Sequence, residues 1–100
     1  MTISAAEAKT MMETQTDYVI LDVRAQSEYD SGHIPGATLI PLPELAERAE
    51  EELTSKDQLI LVYCRSGNRS RTAAATLQSL GYTNIIDFGG INSWPYEIAK

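Results

Sequence analysis

The sequence predicts an α/β fold with a mainly parallel sheet, and three observations carry the prediction. Two short runs, residues 18–23 (YVILDV) and 59–63 (LILVY), are almost continuously apolar and rich in β-branched residues, the pattern of strands covered on both faces. Segments of helical periodicity alternate with them along the chain. Gly and Pro fall singly between these segments and never cluster into a spacer, so residues 1–100 are expected to form one domain.

Each element has its own warrant. Ser4 followed by Glu7 is a capping box opening a helix with Ala5, Ala8, Met11 and Met12 at near-helical spacing, and Ile3 before it reads as a minimal strand. Ile34-Pro35-Gly36-Ala37 has Pro and Gly at the two central positions of a type II turn, leading into a short strand over 38–40. Pro43 suits the first turn of a helix whose apolar stripe is Leu45, Ala46, Ala49 and Leu53. Glu44, Glu47, Glu50, Glu51 and Glu52 fill its other positions and read as a solvated face. A third helix is expected over 71–80, with Ala74, Leu77 and Leu80 inward and Gly81 as its stop. A last strand over 84–88 and a terminal helix over 91–99, interrupted by Pro95, complete the order.

Composition narrows the function classes. A chain of 100 residues buries roughly 60% to 70% of its unfolded surface, enough for a core without staples. Cys64 is the only cysteine and His33 the only histidine, which excludes an internal disulfide and a zinc-spaced ligand pair; no metal and no cofactor are expected. No apolar run approaches 18 residues, and Glu7, Lys9 and Glu13 stand where a signal peptide needs an apolar stretch, so the expected compartment is the cytoplasm. A net charge of -6 argues against nucleic-acid and membrane partners. Its distribution nevertheless favours a small anion, because three of the eight cations, Arg65, Arg69 and Arg71, lie within residues 65–71, and a small anion meets only the charges within a Debye length of about 10 Å.

That loop carries the chemistry. Function in such folds gathers where strand C-termini feed loops, and there Cys64 ends one strand while Asp22 and Arg24 end another. Gly67 and Asn68 are the residues that most easily take left-handed backbone angles, so the chain after Cys64 can curl and aim successive N–H groups inward. Ser70 is expected to cap the helix that follows, whose free amides face the same point. The result is an anion cradle with a sulfur at its bottom. The helix N-terminus, the amides and the guanidinium groups of Arg65 and Arg69 together draw the Cys64 pKa from about 8.5 into the range of roughly 3.5 to 7.5, with no general base required. Arg65 and Arg69 are expected to fork a tetrahedral oxyanion. The role of Arg71, a cation near a helix N-terminus, stays open. Asp22 and Arg24 are expected to serve the scaffold, through hydrogen bonds and a salt bridge from Arg24 to Glu28, with a supporting place at the site as the second reading. His33, Tyr63 and Trp94 are expected to be structural.

Leu21-Asp22-Val23-Arg24 with Glu28-Tyr29, then Gly32-His33-Ile34-Pro35-Gly36-Ala37, then Tyr63-Cys64-Arg65-Ser66-Gly67-Asn68-Arg69-Ser70, closely resembles the single-domain rhodanese family of sulfurtransferases. Gly89-Gly90 with Trp94 fits a third, weaker motif, although no Gly-x-Pro tail follows. The resemblance implies a rhodanese-like, five-stranded mainly parallel sheet flanked by helices on both faces, its first strand the short one near Ile3. It implies that Cys64 carries a sulfane sulfur as a persulfide held by the amides of residues 65–69, with Arg65, Ser66, Gly67, Asn68 and Arg69 binding the donor. The partners it implies are a small anionic sulfur donor such as thiosulfate and an acceptor of sulfur that is a thiol, cyanide or a protein. The rival on the same fold is a cysteine phosphatase or arsenate reductase, which uses Cys-x5-Arg; here Arg69 gives Cys-x4-Arg and Arg71 gives Cys-x6-Arg. A non-turnover sulfur-relay module is the third reading.

Overall fold

The computed structural model describes residues 1–100. In chain order the elements are α1 (Ala5–Thr14), β1 (Tyr18–Asp22), α2 (Gln26–Ser31), β2 (Thr38–Leu39), α3 (Leu45–Glu52), β3 (Leu59–Cys64), α4 (Asn68–Ser79) and β4 (Ile85–Gly90). Short 3-10 turns at Leu42–Glu44 and Ile91–Ser93 lead into α3 and follow β4. The sheet has the order β2-β1-β3-β4, and every pair is parallel.

β3 lies in the middle and every one of its residues is buried, which explains its unbroken apolar run. Successive side chains alternate between faces. Ile60, Val62 and Cys64 join Leu21 and Val23 beneath Leu45 and Ala49 of α3 and Ala73 and Leu77 of α4. Leu59, Leu61 and Tyr63 join Ile20, Ile86 and Phe88 with Ala8 of α1, Ile34 and Trp94 on the other face. This period of two decides that Cys64 belongs to the face on which α4 begins. No helix is long and apolar enough to cross a membrane.

Several local expectations match. Ser4 Oγ accepts the Glu7 N–H and the Glu7 carboxylate accepts the Ser4 N–H, closing the capping box. Gly36 has φ +84° and the Ala37 N–H donates to Ile34 O, as a type II turn requires.

Others are corrected. The sheet has four strands, not five. Near Ile3 there is one parallel bridge between Thr2 and Asp87, because the Ser4 cap turns the chain into α1 before a strand can extend. The helix over 91–99 is absent. The 3-10 turn ends at Ser93, Pro95 has no N–H to continue a helix, and the tail returns to pair Ala99 with His33. The third helix starts at Asn68 rather than Arg71, and it buries Ala73 beside Leu77 while Ala74 is half-buried. Ala46 faces solvent, leaving Leu45, Ala49 and Leu53 as the stripe of α3. The helix α2 has no counterpart in the sequence reading.

Candidate active site

Cys64 ends β3 and its side chain is 1% exposed. Gly67, at φ +107°, turns the chain back, and its N–H donates to Cys64 Sγ at 3.0 Å. A Cβ at this position would be strained by that φ regardless of space. Asn68 does not share the left-handed conformation; it is the first residue of α4.

The loop is fixed from β4. The register shifts between Val62 and Cys64 so that Gly90 stands opposite Cys64, and a Cβ on Gly90 would lie 2.0 Å from the Arg65 carbonyl oxygen. Only a glycine lets the loop lie this close. The Arg65 carbonyl accepts the Asn92 N–H at 3.1 Å, which fastens the loop to the turn after β4.

Ser70 does not cap α4. Gly67 is the N-cap and has no side chain with which to cap the helix, which leaves the first amides of α4 facing the loop. Ser70 stands inside the first turn and its hydroxyl donates to Asp87 Oδ1 at 2.7 Å, stapling α4 to β4; the same carboxylate oxygen accepts the Gly89 N–H at 2.9 Å. Burial pushes the Cys64 thiol up, but the N–H of Ser70, its hydroxyl, and the N–H groups of Gly67 and Ser66 outweigh it, and the pKa falls below the ordinary thiol value. Amides therefore lead where the sequence reading gave the guanidinium groups an equal share.

The arginines divide. Arg69 is held by Glu28, with Nη1 2.6 Å from Oε1 and Nη2 2.9 Å from Oε2. Arg65 is exposed and has no ion pair. Arg71 points away from the loop and lines a groove with Gln78, Asn84 and Ile85 beside the outer edge of β4, a groove that Cys64 does not reach. The expected fork of Arg65 and Arg69 is thus not free at both tines.

Asp22 and Arg24 lie beneath the site as scaffold. Arg24 Nη2 is 2.8 Å from Asp22 Oδ2 and donates to Gly32 O at 2.7 Å. Tyr63 Oη donates to Asp22 Oδ2 at 2.7 Å and accepts the Ile34 N–H at 3.1 Å. The expected bridge from Arg24 to Glu28 is not formed, because Arg24 turns inward to Asp22 and Glu28 turns outward to Arg69. His33 is structural, stacked on the Tyr29 ring at 3.8 Å with Nδ1 3.0 Å from Tyr29 O. Sequence reasoning gave no part at the loop to Glu28 and Asp87. Their partners lie 41 and 17 residues away, beyond the reach of any local spacing.

A thiol of lowered pKa, at the end of a central parallel strand and under a loop of inward amides, places the chain among α/β proteins whose cysteine has the chemistry of an activated nucleophile. The chain belongs to the rhodanese-like family of sulfurtransferases, whose Rhodanese-like domain model matches residues 4–96. It is 38% identical over 93 residues to the putative sulfur carrier protein YrkF of Bacillus subtilis, covering 92% of this chain and 49% of that protein. It is 37% identical over 71 residues to the thiosulfate sulfurtransferase PspE of Escherichia coli, covering 71% of this chain and 68% of that one. The crystal structure of the Alr3790 protein from Anabaena superposes with a TM-score of 0.88 at 30% identity, covering 97% of this chain and 90% of that one. The chain thus spans about half of the one curated relative and two thirds of the other.

Proposed function

We propose that the protein moves a sulfane sulfur from thiosulfate or a similar donor to a thiol or cyanide acceptor through a persulfide on Cys64. The observation that carries this reading is the buried Cys64 sulfur with the Gly67 N–H 3.0 Å away and the uncapped first turn of α4 facing it. Such a cradle stabilises a thiolate before reaction and a persulfide anion after it. The thiolate attacks the outer sulfur of thiosulfate, a new S–S bond forms, and sulfite leaves with the electron pair of the old one. An acceptor then takes the sulfur and restores the thiolate, in a two-step covalent cycle. In this reading Arg65, Ser66, Gly67, Asn68 and Arg69 form the donor-binding rim.

Incubation of the reduced protein with thiosulfate should add one sulfur atom by intact-mass spectrometry, and Cys64→Ala should gain none. An unchanged wild-type mass, with no sulfite released, would sink the reading.

The similarity to a putative sulfur carrier, of which this chain spans about half, supports a second reading: a relay that holds the persulfide for one protein acceptor. Sulfur loading without turnover by small thiols or cyanide distinguishes the relay from the free enzyme, which turns over steadily.

A further inference from the structure

Arg69 is the cation nearest in sequence to the mouth of the cradle after Arg65, and its guanidinium is already engaged. The fork to Glu28 uses both terminal nitrogens. Glu28 is itself fixed, since its Oε1 also accepts the Ala25 N–H at 3.0 Å, which builds the carboxylate into the first turn of α2. Arg24 is committed to Asp22, Arg48 pairs with Glu44 and Glu52, and Arg71 lines the groove beside β4. Arg65 is therefore the one loop cation that an incoming anion meets unneutralised.

We propose that Glu28 is a donor-selecting residue: by neutralising Arg69 beside the Cys64 loop, it disfavours dianionic donors such as thiosulfate and favours hydropersulfide donors of low charge. The inference rests on the sulfurtransferase reading and refines it. With thiosulfate, a thiolate meets a dianion, so three negative charges converge before sulfite departs with two of them. A hydropersulfide reacts as neutral RSSH: the Cys64 thiolate takes the terminal sulfur, the donor S–S bond breaks, and RSH leaves with the proton. One negative charge is present throughout. A free positive charge at the mouth accelerates the first reaction more than the second, and pairing it with Glu28 removes that preference. Glu28 is a positioning residue here, acting on the donor through Arg69.

The test is single-turnover loading of Cys64, followed by intact mass, with thiosulfate and with ethyl hydropersulfide. Four proteins are compared: wild type, Glu28→Gln, Arg69→Ala and the double variant. Gln keeps an oxygen for the Ala25 N–H. The ratio of thiosulfate to hydropersulfide rates should be lowest in Arg69→Ala, intermediate in wild type and the double variant, and highest in Glu28→Gln. Each step should be roughly three- to fivefold, the size expected for one unit charge facing a dianion through water-like dielectric, and should shrink at high salt. The shift should fall in the thiosulfate concentration giving half-maximal rate rather than in the maximal rate. A flat ratio, or a double variant no better than Arg69→Ala, would overturn the inference by making the pair a structural strut. Should Glu28→Gln alone fail to fold, Arg69→Ala and the double variant decide: a double variant that recovers the wild-type ratio supports the inference, and one that stays at the Arg69→Ala ratio overturns it. Absence of loading by either donor overturns the sulfurtransferase reading and this inference with it, an outcome distinct from loading with an unchanged ratio.

Discussion

At Cys64 two opposed effects act on one sulfur. Burial raises the thiol pKa, and the N–H and hydroxyl of Ser70 with the N–H groups of Gly67 and Ser66 lower it by more. Alkylation by iodoacetamide should therefore reach half its maximal rate at a lower pH than that of an exposed cysteine in a short peptide measured alongside, and Ser70→Ala should move that midpoint upward. A wild-type midpoint at or above that of the peptide would mean that burial prevails. The thiol, the glycine turn and the cationic loop were legible in the sequence because they are consecutive, and consecutive residues ending a strand share one place in any fold of this class. The partner of Arg69 was not legible. Glu28 lies 41 residues away, and a helical count from Arg24 pointed to the wrong pair.

The Glu28–Arg69 fork joins α2 to the start of α4, and Ser70 with Asp87 joins α4 to β4. Chiefly through the Arg69 hydrogen bonds, the Glu28 carboxyl is held down to about 2 in the folded protein, against about 4.3 when unfolded. A depressed carboxylate stabilises the fold above its unfolded value and ceases to do so as pH falls through its folded one. The stability difference between wild type and Glu28→Gln, measured by urea denaturation, should thus be constant above about pH 5 and vanish toward pH 2. It should not exceed about 1 kcal/mol, because the two side chains keep roughly a third of their surface in water. A difference that persists at pH 2 would assign the effect to packing. The helix α2 escaped sequence reading for a related reason: it has no buried residue and so shows no apolar period. The start of α4 was misplaced because Ser70 looks like a cap, whereas the left-handed Gly67 ends the loop three residues earlier.

Across the whole molecule, the buried network of Asp22, Arg24 and Tyr63 ties the ends of β1 and β3 to the segment Gly32 to Ile34 and supports the loop from below. Asp22 is fully buried and Arg24 is 5% exposed. Removing one partner strands the other charge in the interior. Arg24→Met should cost about 3 to 5 kcal/mol by denaturant unfolding, well above a surface pair, and a loss under 1 kcal/mol would show that water replaces the guanidinium. The four-stranded sheet follows from the same scale of argument. The segment at Thr2 makes one bridge to Asp87, since its pairing is cut short by the helix cap at Ser4.

By itself the sequence determined the α/β class, the central strand, the cysteine and the loop that folds over it, because apolar period and turn chemistry are local properties of the chain. Only the tertiary structure decided which charges stay free. Ion pairs between distant segments depend on where helices dock, and docking placed Glu28 against Arg69, Asp22 against Arg24, and Asp87 against Ser70. The cradle was therefore readable from residues 64–70, while its electrostatic balance required the fold.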